Sequence, residues 1–189
     1  MNLQKALEIQ KTMSHPGNHD LAWLATAAQG CERIVELGSF IGASTRAMLD
    51  NSEAKIWCVD SWRGSETGRG LRPTEKHFRL FLEHIRDVRG RVVILKMFTR
   101  EAAALLPNDF FDMVFIDADH SYGAVRFDIL HYAPLLKLGG LLCGHDYEVG
   151  RRIRRGLIRA VDELVTDVHT AGQMIWWTRR RNGWLQEEI

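Results

Sequence analysis

Two polar clusters stand out in the 189-residue chain by residue type and spacing. Asp117, Asp119 and His120 fall within four residues, directly after the apolar run Met113-Val114-Phe115-Ile116. A second cluster, His145-Asp146-Tyr147, follows Leu141-Leu142-Cys143-Gly144. A buried parallel strand is continuously apolar, so ionisable groups just past its end are not core filler. Glu36 lies in the stretch from Ile34 to Ser44, which runs from a short apolar strand through Gly38 and Gly42 into a helix. Glycine is needed in such a turn because backbone passes close to a ligand or takes positive φ. A dinucleotide fingerprint spaces its glycines GxGxxG and seats a pyrophosphate on the helix N-terminus. Here Glu36 would repel a phosphate and instead suits a cationic or amine-bearing ligand. Asp60, 24 residues beyond Glu36, ends the run Ile56-Trp57-Cys58-Val59. An acid at that place accepts hydrogen bonds from both hydroxyls of a ribose.

Positioning these residues requires alternating strands and helices. Amphipathic spacing predicts leading helices over 2–13 and 20–29, with Ser14-His15-Pro16-Gly17 between them. Strands follow at 34–37, 54–59, 91–95, 113–117 and 141–143, and helices at 77–88, 99–106, 123–136 and 156–164. The first helix after Gly42 includes Ala47, Met48 and Leu49. Val165 to Thr170 and Met174 to Thr178 read as an antiparallel pair around Ala171-Gly172-Gln173. The alternation implies a parallel sheet with helices on both faces, and right-handed crossovers bring every carboxyl end to one edge. Glu36, Asp60, Thr99, Asp117 and Asp146 are therefore expected along one crevice.

The bulk properties suit one domain: 46% hydrophobic, 26% charged and a formal net charge of +1. It divides into leading helices (1–29), a core (30–178) and a tail (179–189). Near-neutral charge gives no general pull toward nucleic acid or membrane. Cys31, Cys58 and Cys143 read as reduced core residues. With no signal peptide or apolar span in view, the expected location is the cytoplasm. The Gly- and Arg-rich segment 61–74 reads as a lid or a disordered loop. Arg151, Arg152, Arg154, Arg155 and Arg159 read as a solvated helix face, with binding of a substrate phosphate or carboxylate, or of a nucleic-acid backbone, as the alternatives. His15 and His19 read as turn residues that could otherwise touch substrate. Trp176, Trp177 and Trp184 read as core or as contacts of a homo-oligomer.

The motifs together resemble class I S-adenosylmethionine-dependent methyltransferases. The likeness rests on Glu36 to Ser44, Val59-Asp60-Ser61-Trp62, Phe115 to Tyr122, Leu135 to Gly140 and His145-Asp146-Tyr147. The branch is that of small bacterial O-methyltransferases of the macrolide-sugar and caffeoyl-CoA type. The resemblance implies a Rossmann-like α/β fold, a mostly parallel seven-stranded sheet with an antiparallel last strand. It further implies that Glu36, Gly38, Ser39, Gly42 and Ser44 hold the methionine portion of S-adenosylmethionine. Asp60 would take the ribose, Thr99 with Phe98 the adenine region, and Ser61 and Asp117 would also bind the cofactor; Phe98 reads equally as core. Asp117, His145 and Asp146 match the divalent-metal ligands of metal-dependent members. Two departures stand out: relatives usually carry an acid where this chain has His145, and caffeoyl-CoA-type enzymes a lysine where it has His120. His145 either ligates the metal or turns away to a hydrogen bond. Asp119 or His120 is the expected proton acceptor, and the expected partner a small hydroxylated molecule. An RNA or protein methyltransferase, or a nucleoside-binding module without catalysis, are the alternatives.

Overall fold

A computed structural model of the chain describes residues 1–12, 18–64, 74–148 and 155–186. Five strands run parallel: β1 (Arg33–Leu37), β2 (Lys55–Val59), β3 (Val92–Leu95), β4 (Phe111–Ile116) and β5 (Leu136–Gly144). With β6 (His169–Ala171) and β7 (Ile175–Arg179) they form a seven-stranded sheet in the order β3-β2-β1-β4-β5-β7-β6. β7 is antiparallel to both β5 and β6, so the expected Rossmann-like sheet is the one that forms.

β1 shows why the central strands read as unbroken apolar runs. Side chains alternate between faces along a strand. Ile34 accordingly packs with Leu24, Met48 and Phe81, while Val35 and Leu37 pack on the other side with Val125, Ile129 and Leu157. The first face is covered by α2 (Asn18–Ala27), α3 (Ala43–Leu49) and α4 (Glu75–His84), the second by α5 (Thr99–Ala103), α6 (Tyr122–Tyr132) and α7 (Arg155–Leu164). α1 (Gln4–Lys11) lies outside this layer, where Ala6 and Ile9 join Leu21 and Ala47. Cys58 and Cys143 are buried and Cys31 is half-buried, all three with free thiols. Trp176 and Trp184 are core residues, whereas Trp177 is half-buried and stacks on His169 with ring centroids 4.4 Å apart.

Several boundaries differ from the sequence expectation: α6 ends at Tyr132 and a 3-10 turn over Ala133–Leu135 follows it, and β6 spans His169–Ala171 while Val165 only bridges Leu185. β5 begins five residues before Leu141, because the register shifts between Phe111 and Met113 and the strand continues through Gly139-Gly140. Glycines inside a strand mark an irregularity as readily as an end. α4 starts at Glu75, and a 3-10 turn over Arg86–Arg91 replaces its expected last turn. α5 stops at Ala103, and its N-cap is Phe98, whose N–H donates to the Glu101 carboxylate at 2.9 Å. Among the described residues no helix is long and apolar enough to cross a membrane.

The carboxyl edge of the sheet is stitched one residue beyond the strands. Gly38 N–H donates to the Val59 carbonyl, Asp60 to Leu95, Asp117 to Leu37 and His145 to Ile116, at 2.8, 3.2, 2.8 and 3.0 Å. Each of these four residues is thus still tied to its neighbour strand, so side chains there are placed by the sheet and not by loose loops.

Candidate functional site

The turn after β1 is built around two requirements. A Cβ on Gly38 would lie 2.1 Å from the Asp117 carbonyl oxygen, and its φ is +88°. Only glycine allows β1 and the end of β4 to approach this closely. Beneath the turn, Glu36 is fully buried. One carboxylate oxygen accepts the hydroxyls of Ser39 at 2.6 Å and Thr45 at 2.5 Å, and the other accepts that of Ser44 at 2.5 Å. Burial pushes the Glu36 carboxyl up, against the pull of those hydroxyls and of the Cys58 thiol.

Asp60 faces the same turn from β2. Its carboxylate accepts the Phe40 N–H at 2.9 Å and the Trp62 N–H at 2.6 Å. Burial raises its pKa, with the amides of Trp62, Phe40 and Ser39 opposing. The Trp62 indole N–H donates back to the Phe40 carbonyl at 2.7 Å, and both residues have positive φ, +49° and +45°. Non-glycine residues there are uncommon and gather at functional sites. The Ser61 hydroxyl closes a local turn with Gly64 and Arg63. Phe98 and Thr99 are half-buried, and the Thr99 carbonyl accepts the Tyr132 hydroxyl at 2.9 Å.

Past β4 and β5 the ionisable groups converge. His120 Nε2 lies 2.5 Å from an Asp146 oxygen and 3.6 Å from Asp117, while His145 Nδ1 lies 3.4 Å from Asp146 and 3.9 Å from Asp117. Asp117, His120 and Asp146 each offer one atom within 4.8 Å of the other two, a spacing that one cation can bridge. Asp146 is itself at φ +68° and buried. Asp119 stands beside the cluster, its carboxylate accepting the Ser121 N–H at 2.8 Å. The other nitrogen of His145 meets Asp20 of α2 at 3.2 Å. Burial raises the pKa of Asp20, but the bonds from His145 and from the amides of Gln173 and Met174 outweigh it and leave the carboxyl below its ordinary value.

The model of the methyltransferase domain family matches residues 35–147, which hold Glu36, Asp60, Asp117, Asp119, His120, His145 and Asp146 but not Asp20 or the amides of Gln173 and Met174. The chain belongs to this methyltransferase family. No curated protein sequence matches it. Among solved structures, the methyltransferase is similar to a putative caffeoyl-CoA O-methyltransferase from Staphylococcus aureus at 16% identity and TM-score 0.68, covering 96% of this chain and 93% of that one. An O-methyltransferase from Bacillus cereus in complex with SAH aligns at 16% identity and TM-score 0.65, over 94% and 90% of the two chains. A tRNA (m1A58) methyltransferase from Aquifex aeolicus aligns at 12% identity and TM-score 0.59, over 85% and 67%. At such identities the likeness concerns the fold.

Within the methyltransferase, the structure brings together Glu36, Ser39 and Ser44 in one network and Asp117, His120, His145 and Asp146 in another. His19 is exposed on α2, while His15, most of the 61–74 segment and Arg151, Arg152 and Arg154 lie outside the described residues. Arg155 is exposed on α7, and Arg159 pairs with Glu163 at 2.7 Å, as a solvated helix face would. Sequence reasoning missed Thr45, which lies one residue past the motif, and Asp20, which reads as an ordinary acid in a helix's first turn.

Proposed function

We propose that this methyltransferase transfers a methyl group from S-adenosylmethionine to a hydroxyl of a small molecule, assisted by a divalent cation. The observation that carries the reading is the convergence of Asp117 and Asp146 with both His120 and His145 at the sheet edge, beside the glycine turn. The Bacillus cereus structure in complex with SAH supports the choice of methyl donor.

In this reading the Gly38-Ser39 turn receives the methionine portion, and Glu36 acts through the turn, because its oxygens are taken by three hydroxyls. A carboxylate accepts at about four sites, so Asp60 can take a ribose hydroxyl besides the amides it already holds. Phe98 and Thr99 flank the adenine end. The donor set of carboxylates and imidazoles fits a divalent cation, and the imidazoles favour a borderline ion such as Zn²⁺, Mn²⁺ or Fe²⁺ over Mg²⁺. Asp117, Asp146 and His145 would hold it, with His120 beside them; when bound, it supplies Lewis acidity that lowers the pKa of an acceptor hydroxyl. Asp119 or His120 accepts the hydroxyl proton. The acceptor oxygen then bonds to the methyl carbon while the carbon–sulfur pair stays on sulfur, releasing S-adenosylhomocysteine.

The test is turnover on a panel of hydroxylated acceptors, read as S-adenosylhomocysteine released. Chelation is expected to abolish turnover and to leave S-adenosylmethionine binding intact, and Asp146→Ala to do the same. Full-speed methylation by chelated enzyme would remove the ion from the account. Binding of the methyl donor with no turnover on any hydroxyl would favour a nucleoside-binding module.

A further inference from the structure

Asp20 lies on a helix that precedes the matched family region, yet it is almost completely buried and aimed at the cluster. One of its oxygens accepts the Gln173 N–H at 2.6 Å and the Met174 N–H at 3.3 Å. The other faces His145 Nε2 at 3.2 Å. The hairpin between β6 and β7 is shaped to admit it. Gly172 has φ +59°, and a Cβ there would lie 2.1 Å from that first oxygen. The same hairpin holds the site loop, since Tyr147 N–H donates to the Met174 carbonyl at 3.0 Å. Helix α2, the hairpin and the loop carrying His145 and Asp146 are therefore locked together through one carboxylate.

An ionised carboxylate only accepts hydrogen bonds, so a ring nitrogen that bonds it must carry the hydrogen. In a neutral imidazole the other nitrogen is then a bare lone pair. That nitrogen, Nδ1, is the one nearest Asp146 and Asp117, at 3.4 and 3.9 Å. We propose that Asp20 is a positioning residue that fixes His145 with its hydrogen on Nε2 and turns the Nδ1 lone pair toward the Asp117–Asp146 pair. The inference rests on the metal reading above for its purpose, but the tautomer itself exists without an ion. A carboxylate behind a ligating imidazole fixes its orientation and raises its basicity, and losing such a partner weakens metal binding about 10- to 100-fold.

The substitution Asp20→Asn separates this role from hairpin anchoring. The amide oxygen still accepts the Gln173 N–H, but the amide nitrogen, now facing His145, only donates. Nε2 must then accept, and the ring hydrogen moves to Nδ1, where it blocks ligation. Two-bond ¹H–¹⁵N spectra of metal-free protein, in buffer alkaline enough to keep the ring neutral, read the tautomer directly. Co²⁺ titration followed by visible absorption reads the ligand. The wild type is expected to show the Nε2–H form, and Asp20→Asn the Nδ1–H form with Co²⁺ bound about 10- to 100-fold more weakly. A wild-type Nδ1–H tautomer would overturn the proposal without recourse to any variant. So would an Asp20→Asn protein that takes up Co²⁺ as tightly as the wild type. A wild type with the Nε2–H form that takes up no Co²⁺ would uphold the tautomer lock and overturn the metal reading alone.

Discussion

Glu36 is fully buried, and the hydroxyls of Ser39, Ser44 and Thr45 supply the hydrogen bonds to its carboxylate. Removing the acceptor from a buried donor costs about 1–3 kcal/mol, and truncating the side chain adds a cavity. Glu36→Ala is therefore expected to destabilise the fold by about 2–4 kcal/mol in chemical denaturation, with an unchanged midpoint as the contrary result. The position of Glu36 was legible in the sequence, because an acid followed by two glycines at a strand's end is a local pattern. Its burial was not legible, although Ser39 and Ser44 were in view, since only the packing of α3 on β1 turns those hydroxyls inward. Asp20 was beyond reach altogether: its partner His145 is 125 residues away, and nothing local distinguishes an anchoring acid from a capping one.

β1 and β4 are pinned at their amino-terminal ends by Asp112 as firmly as the glycine turn pins their carboxyl ends. One Asp112 oxygen accepts the N–H groups of Glu32 and Arg33 at 2.9 Å each, and the other meets the Lys137 ammonium at 2.6 Å. Burial pushes this carboxyl up, but Lys137 and the two amides prevail and hold it below its ordinary value. A carboxyl whose pKa is depressed by folding stabilises the folded state above its unfolded pKa, about 3.9, and loses that effect as pH falls through the folded value. Wild type is thus expected to exceed Asp112→Asn in unfolding free energy at neutral pH, with the gap closing as pH drops below about 4. A gap independent of pH would contradict this. Element order was readable because both faces of the central strands are buried, which leaves continuous apolar runs. Element ends were less so. Gly139-Gly140 sits within β5, and α5 stops at Ala103, three residues before the expected end.

Across the whole molecule, the strand order turns separate motifs into one site. β1 lies between β2 and β4, and β4 beside β5, so acids from residues 36, 60, 117 and 146 share one edge. This much follows from the alternation of strands and helices and from right-handed crossovers. What did not follow was the cluster's membership. His120, four residues past β4, comes within 2.5 Å of Asp146, two residues past β5, a contact no periodicity encodes. If this edge binds the methyl donor, calorimetric titration with S-adenosylhomocysteine shows it. Wild type is expected to bind one molecule per chain, and Asp60→Ala to bind at least about tenfold more weakly, as loss of a charged hydrogen bond to the ribose requires. Absence of binding to the wild type, or equal affinity for both proteins, would contradict it.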